Sequence, residues 1–388
     1  MHIILDARAA RPELTGIGRA TLGLIRGLRA ADHDHLITLL CDPACRPALD
    51  ELRVDHDGRF RLAVVPVGPF SFARQLTLAW RIRPLRADLW HAPYYVRPLL
   101  GVPPAVVTAY DLIRPGEGPP GPRRRVAAAP ALKWSIKMRL SLTLAAHVIT
   151  PSQATKEDIR KSLGIPARRL SVVALAADEH FRPPPARLVE DVRRRYGLGN
   201  RYVVYLGTNK PHKNIDSLVA AWGELAREGV TGSGDGAAAL VIAGREDPKC
   251  PSSRRRYAGL APGLRLRFLR DVPDADLPAL LGGALCFVSP SLKEGFNLTP
   301  LEAMACGAPV LAADRPSTLE VVGDAALLVE PDATALASGL GRLLADDGLR
   351  RELSRRGRAR AAEFSWRRTA EETIRVYERV AGVRGAAR

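Results

Sequence analysis

No stretch of about 18 residues in this sequence is both apolar and free of charge, so a membrane-spanning helix is not expected. The opening residues, MHIILDARAARPELTG, lack the basic stretch and apolar core of a secretory leader, and the chain reads as cytoplasmic. Cysteine is scarce too. The five present, Cys41, Cys45, Cys250, Cys286 and Cys306, are odd in number and scattered, which argues against a disulfide framework. Cys41 and Cys45 form the one close pair, and with no second cysteine or histidine pair nearby they make a poor zinc site. Aromatic residues, at 5%, are too few for the interleaved stacking platform of a single-strand nucleic-acid binder, and no zinc-finger, RNP or helix-turn-helix signature occurs. Acidic residues are also in short supply. There are 41 Asp and Glu against 58 Lys and Arg, and the net charge of +17 calls for an anionic partner: a phosphorylated substrate, an anionic membrane surface or a nucleic acid.

What is present is apolar residue in short, regular doses. At 388 residues and 46% apolar composition, the chain exceeds the size at which one core keeps growing, so two domains are expected. Val-, Ile- and Leu-rich runs recur along both halves: HIILDA, HLITLL, RLAVVPV, DLWHA, AVVTAY, HVITPS, LSVVAL, YVVYLG, ALVIAG, LRLRFL, LCFVSP, APVLAA and ALLVEP. They read as buried parallel strands. Amphipathic helix-length segments such as IGRATLGLIRGLRA and NIDSLVAAWGELAREG lie between many of them, which makes the fold class α/β with two Rossmann-like sheets. The proline-rich stretch at 180–191, with Pro183, Pro184 and Pro185 in succession, is the best boundary. It divides the chain into a domain over 1–182 and another over 186–365.

The segment LCFVSPSLKEGFNLTPLEAMACGAPVLAA concentrates the chemistry. It reads as strand, loop, helix and strand, with the helix N-terminus at the carboxyl edge of a sheet, where open α/β folds bind ligands and free N–H groups favour a diphosphate. Thr299 suits an N-cap, Pro300 the first turn and Gly307 a left-handed exit. Glu302 then has two readings. It completes a Thr-x-x-Glu capping box with Thr299, or it faces a ligand. Glu294, followed by Gly-Phe in the loop, serves no cap. Three Asp-x-Asp spacings occur, Asp32-Asp34, Asp55-Asp57 and Asp274-Asp276; the first two sit in polar turns and the third precedes a helix, where capping accounts for it. GIGRAT lacks the third glycine of the dinucleotide fingerprint, so a nicotinamide enzyme is not expected.

The segment SPSLKEGFNLTPLEAMACGAPVLAAD resembles the signature of the family-four retaining glycosyltransferases, whose two glutamates stand seven residues apart as Glu294 and Glu302 do. The resemblance implies the GT-B architecture: two facing Rossmann-like domains, with a C-terminal helix, here 366–388, returning to the first. It further implies that Glu302 binds the ribose hydroxyls, that Glu294 lies by the reacting sugar, and that backbone around Gly295, Phe296, Asn297 and Leu298 contacts sugar and phosphates. Relatives carry glycine at the position of Asn297 and often proline at that of Thr299. YLGTNKPHKNIDSLVAAW is similar to the family's phosphate loop, which places Lys213 on its lysine; His212 stands where an arginine is usual, Thr208 where other branches have one, and Lys210 is the candidate second cation. TGIGRATLGL is similar to the glycine-rich loop that closes on the donor phosphate, with Gly16 and Gly18. DLWHAPYY puts His91 where the family has a histidine near the transferred sugar. TAYDLIRP retains Asp111 of a His-Asp pair for the acceptor, with Tyr110 in place of the histidine. Ser152 in VITPSQATKEDI matches a serine facing the cleft, and an N-cap accounts for it equally.

The expected function is transfer of a hexose, mannose by best fit, from a nucleotide-sugar (GDP- or UDP-linked) to a saccharide or lipid-linked acceptor in surface-polysaccharide synthesis, with no cofactor and no metal. Glu294, His91 and Lys213 are the candidate catalytic residues. The basic segment from Arg123 to Arg139, which carries Trp134, Ile136, Met138 and Leu140, points to a peripheral position on the inner face of an anionic membrane. Two other readings remain: a basic nucleic-acid-binding protein, and a sugar phosphorylase or epimerase of the same fold.

Overall fold

The computed structural model describes residues 1–10, 16–68, 75–113, 128–250, 252–260 and 263–382. All thirteen apolar runs are strands. The first seven are β1 (His2–Asp6), β2 (Leu36–Cys41), β3 (Phe60–Val64), β4 (Leu89–Ala92), β5 (Ala105–Thr108), β6 (His147–Thr150) and β7 (Leu170–Val172), which pair in parallel in the order β3-β2-β1-β4-β5-β6-β7. The remaining six are β8 (Tyr202–Leu206), β9 (Ala239–Ala243), β10 (Leu266–Leu269), β11 (Cys286–Ser289), β12 (Val310–Ala313) and β13 (Leu327–Val329), parallel in the order β10-β9-β8-β11-β12-β13. Helices cover both faces of such sheets, which is why the strands are continuous apolar runs rather than alternations; β4, β5, β6, β11 and β12 are buried at every position.

The sheets belong to two compact units. One contains the described residues up to 113, 128–176 and 364–382, and the other contains 177–363. The division falls after Ala176 rather than in the proline run. Those prolines pack onto the second unit: a Cβ added to Gly282 would lie 2.6 Å from Pro184 Cδ.

The last described helix, Trp366–Ala381, packs in the first unit against helix Gly16–Ala30. Ser365 caps it by accepting from the backbone N–H of Arg368, and Thr369 Oγ1 donates to the Ala174 carbonyl at 2.7 Å. Its Ala370, Ile374, Val376 and Tyr377 join Leu24, Ile25 and Leu28 in one core. Two glycines make room for it. A Cβ on Gly23 would fall 2.1 Å from the Trp366 ring, and one on Gly27 would fall 2.0 Å from the Trp366 carbonyl oxygen. The outward face carries the i,i+4 pairs Arg367–Glu371 and Arg368–Glu372, each worth about 0.3–0.5 kcal/mol. Among the described residues no helix is long and apolar enough to cross a membrane.

Candidate functional site

In the second sheet the strand order reverses between β8 and β11. Loops leaving adjacent strands in opposite directions open a crevice at the carboxyl edge, the usual ligand position in such sheets. The loop after β8 ends in a tight 3-10 turn, Pro211–Lys213, and then Asn214, whose φ of 56° lies in the left-handed region. Asparagine tolerates that conformation when its side chain bonds locally. Here Asn214 Nδ2 donates to the carbonyls of Pro290 (3.1 Å) and Pro331 (2.6 Å), and Oδ1 accepts from Ser217 at 2.8 Å. The Leu292 N–H donates to the His212 carbonyl at 2.8 Å, so the loops after β8 and β11 are stitched together.

That stitching brings Lys213 and Glu294 face to face, 81 residues apart in sequence, with Lys213 Nζ donating to Glu294 Oε1 at 2.5 Å. Both side chains are mostly but not wholly covered, at 21% and 11% exposure. Burial pushes the Glu294 carboxyl up, but the Lys213 charge and hydrogen bond, a hydrogen bond from Ser291 and the influence of His212 outweigh it and hold the group below its ordinary range. Glu294 is therefore an anion at neutral pH. Its backbone is fixed as well, since Ser317 Oγ donates to its carbonyl at 2.7 Å. Behind it lies Tyr205, whose phenol is raised well above its usual value by burial and by the Glu294 charge, and whose hydroxyl donates to the Thr208 carbonyl at 2.8 Å.

Asn297 begins the helix Leu298–Ala305 at φ 62°, again left-handed. It is buried, and its Nδ2 donates to Ser289 Oγ and Thr318 Oγ1, both at 3.0 Å. The position calls for positive φ, which glycine adopts freely and asparagine adopts here with its amide anchored. This corrects the reading of the helix start. Asn297, not Thr299, is the N-cap residue, so Thr299 lies within the helix and Glu302 sits in its second turn, buried at 3%. The Thr299–Glu302 capping box is not the start of this helix. Gly307 does supply the left-handed exit, at φ 82°, with its N–H bonded to the Met304 carbonyl and that of Ala308 to the Ala303 carbonyl. Neither this helix nor Ile215–Arg227 carries a side-chain cap, whereas Asp332 and Asp346 cap the helices Ala333–Ala345 and Asp347–Ala361. Helix N-termini without side-chain caps favour an anion.

Beside the crevice, at the carboxyl ends of β8, β9 and β10, is a shallow cleft lined in part by Gly207, Asn209, Gly244, Glu246 and Arg270. Gly244, at φ 125°, is indispensable there, because a Cβ would fall 2.3 Å from the Gly207 carbonyl oxygen. Glu246 accepts from Ser252 Oγ at 2.8 Å and pairs with Arg270. Burial would raise its carboxyl, and the Ser252 hydroxyl, the Arg254 N–H and Arg270 together lower it. Asn209 Oδ1 accepts from the Asp247 N–H at 2.6 Å, joining the loops after β8 and β9. Sequence reasoning missed this cleft; its one signal is glycine at the end of two neighbouring strand runs, YVVYLG and ALVIAG.

The expected residues of the first unit are placed differently. His91 does not face an open sheet edge. It is fully buried, its Nδ1 is 2.5 Å from the Tyr377 hydroxyl and its Nε2 is 2.9 Å from Thr108 Oγ1. Burial lowers its pKa to about 3, so the ring is neutral and ties the sheet to helix Trp366–Ala381, with no ring nitrogen left to meet a sugar. Asp111 follows β5, and its Oδ1 accepts from the Ile113 N–H at 2.9 Å. Ser152 is a buried N-cap, accepting from the Thr155 N–H at 3.1 Å. Gly16 opens its helix with no atom within 4 Å of an added Cβ, and Gly18 is buried within the first turn. Arg123, Arg124 and Arg125 lie outside the described residues. Asp276 does not cap the helix that follows it; its carboxylate binds Arg195 Nη1 at 2.6 Å and the Tyr196 hydroxyl at 2.7 Å.

The strand order of the first sheet reverses between β1 and β4, and there the chain holds a charged cluster that sequence reasoning did not single out. Arg8 Nη2 and Nε donate to the Asp6 carboxylate at 2.6 and 2.7 Å, the Tyr94 hydroxyl donates to Asp6 Oδ2 at 2.9 Å, and Arg8 Nη1 donates to the Val67 carbonyl at 3.1 Å. All three side chains are fully buried. The signal for this cluster was an Asp and an Arg two residues apart at the end of a strand run.

Comparison with known proteins supplies two family matches. Residues 190–360 match the model of glycosyl transferases group 1, and residues 14–181 match that of glycosyltransferase family 4. The chain is 29% identical to the O-antigen chain mannosyltransferase B of Escherichia coli over 97% of its own length and 100% of that protein's. It is 32% identical to the MMP alpha-(1->4)-mannosyltransferase of Mycolicibacterium hassiacum over 60% of its length and 54% of the relative's. Among solved structures, it is similar in fold to a sucrose-phosphate synthase from Thermosynechococcus elongatus, with TM-score 0.74 and 21% identity over 99% of this chain and 100% of that one. It is likewise similar to Anabaena HepE in complex with UDP and glucose, with TM-score 0.72 and 19% identity over 98% and 100%.

Proposed function

The chain belongs to the group 1 glycosyltransferases of GT-B fold, and from that premise we propose that it transfers mannose from GDP-mannose, with retention at the anomeric carbon, to a saccharide or lipid-linked acceptor in surface-polysaccharide synthesis. The choice of mannose rests on the likeness to mannosyltransferases.

The observation that carries the reading is the Lys213–Glu294 pair in the switch-point crevice of the second sheet. As the bond from the sugar C1 to the diphosphate oxygen breaks, its electron pair passes to the diphosphate. Lys213 and the N-termini of helices Ile215–Arg227 and Leu298–Ala305 meet that charge. The acceptor oxygen attacks C1 on the face the diphosphate leaves, and its proton goes to the departing phosphate oxygen. Glu294 holds Lys213 in place before the donor arrives and then lies by the sugar as positive charge develops on it. Glu302 takes the ribose hydroxyls, the base enters the cleft beside Gly207 and Gly244, and backbone from Gly295 to Leu298 contacts sugar and phosphates. Thr208 completes the donor contacts on this unit. No metal or cofactor takes part. The enzyme works in the cytoplasm at the membrane face.

A thermal-shift panel of GDP-, UDP-, ADP- and dTDP-sugars tests the donor. A ligand bound only by the folded chain at about a hundred times its Kd adds about 2.7 kcal/mol. A rise with GDP-mannose above the others is expected, and no rise with any of the four defeats the reading. Product analysis with radiolabelled donor then distinguishes transfer from phosphorolysis or epimerisation.

A further inference from the structure

Large apolar side chains left in solvent are unevenly shared among the described residues. Val230, Leu260 and Leu319 are the second unit's share, while the first unit exposes Val64 (51%) on β3 and a further six, Trp80 (79%), Leu100 (71%), Leu132 (62%), Leu144 (57%), Ile136 (50%) and Leu140 (39%). These six lie on one side of the unit. Helices Gln75–Ile82 and Ala128–Thr143 both turn their inner residues, Leu78 and Ile82 from one and Met138 and Leu142 from the other, onto the same core beneath one face of the first sheet. Their outer faces therefore point the same way. The segment between β4 and β5 bridges them: Trp134 Nε1 donates to the Tyr95 hydroxyl at 2.8 Å, and a Cβ on Gly101 would meet Ala79 Cβ at 3.2 Å. Leu132, Ile136 and Leu140 recur every fourth residue, and Leu144 continues the series, a stripe about 18 Å long.

Charge on these two helices and the segment between β4 and β5 has one sign; on the same side, helix Gln153–Leu163 adds Glu157, which pairs with Arg160. Residues 75–87, 89–110 and 118–156 contain no acidic residue, and Arg81, Arg83, Arg86 and Arg139 are exposed beside the stripe. The second unit, 177–363, has 26 basic and 24 acidic residues, so nearly all of the +17 belongs to the rest of the chain. A solvated apolar stripe edged by arginine alone fits a surface that is apolar within and anionic at its rim. A second copy of this face does not fit, since pairing would oppose like charges.

We propose that the outer face formed by helices Gln75–Ile82 and Ala128–Thr143 and the 93–104 segment is the docking surface for an anionic lipid bilayer, with Trp80, Leu100 and the Leu132–Leu144 stripe entering the headgroup boundary and the flanking arginines on lipid phosphates. This extends the reading of the acceptor as membrane-borne by naming the surface, and it is tested without a transfer assay.

The full chain is sedimented with vesicles of phosphatidylglycerol in phosphatidylcholine and with phosphatidylcholine alone, at low and high salt. Wild type is expected to bind the anionic vesicles, and to bind them less at high salt. The double substitutions Ile136→Ser/Leu140→Ser and Arg81→Glu/Arg139→Glu should each weaken binding by about tenfold or more. Because all four positions are exposed, both variants should keep the wild-type circular dichroism spectrum, thermal midpoint and donor-nucleotide binding. Equal binding to both vesicle types, or undiminished binding by Ile136→Ser/Leu140→Ser, overturns the proposal. So does a dimer that this variant abolishes while vesicles bind neither form. Failure of donor binding would instead count against the proposed reaction and leave the vesicle result standing.

Discussion

Both sheets reverse strand order at a point where loops diverge, and the chain places charge at each, with opposite outcomes. In the first, Asp6, Arg8 and Tyr94 are fully buried and answer one another at 2.6–2.9 Å. In the second, Lys213 and Glu294 meet at 2.5 Å but keep 21% and 11% exposure. A closed cluster of opposite charges fixes neighbouring loops and leaves nothing for a ligand, since separating it would strand a charge in the interior. A half-open pair can exchange one partner for a phosphate. The two pairs thus occupy equivalent places in strand order, and they differ in solvent access.

Breaking the open pair should have the largest effect. Glu294→Ala is expected to reduce transfer by about a thousandfold while circular dichroism shows a folded chain, and Lys213→Ala should cost about a hundredfold in kcat with radiolabelled donor. Wild-type turnover by both would dissolve the contrast between the crevices. Acid should separate the units next. The histidines held below their ordinary range, His2, His33, His35, His91 and His147, all lie in the first unit. His91 stays neutral in the fold until about pH 3 but takes a proton near pH 6.5 once unfolded, so stability falls as pH falls through that window, by roughly 1.4 kcal/mol per unit. Hydrogen exchange at pH 5 should show the first unit opening ahead of the second, and His91→Gln should narrow the gap. Gly27→Ala, which drives a Cβ against the Trp366 backbone, is expected to cost about 1–3 kcal/mol in thermal unfolding and to spare nucleotide binding. Smallest is Asn297→Gly, which keeps the left-handed turn and loses the bonds to Ser289 and Thr318, about 1 kcal/mol; Asn297→Ala should cost more.

The sheets were legible because parallel strands buried on both faces must be apolar throughout, a local property. Lys213 and Glu294 could be singled out because each lies in a short motif that resembles the family's, but their direct pairing across 81 residues is made by the joined loops after β8 and β11. His91 was not, because its burial is decided by Tyr377, 286 positions away. The helix start at Asn297 rather than Thr299 was missed for a different reason: side-chain pattern suggests a cap, but a left-handed residue held by Ser289 and Thr318 moves the first turn back by two. Gly23 and Gly27 carry no signature either, since the tryptophan they admit is contributed by the far end of the chain.

The return of helix Trp366–Ala381 to the first unit also sets an order of assembly on the ribosome. The residues that complete the first core are translated after all of 177–363, which at about 5–20 residues per second is a wait of roughly 10–40 s. Throughout that time the glycine groove of helix Gly16–Ala30 and the face of β4 at His91 lack their cover, and at its end the second unit has its whole sequence while the first still waits for Trp366–Ala381. The second unit can mature first, and a stop codon ahead of Trp366 would leave the opening half of the protein, not its end, without a finished core.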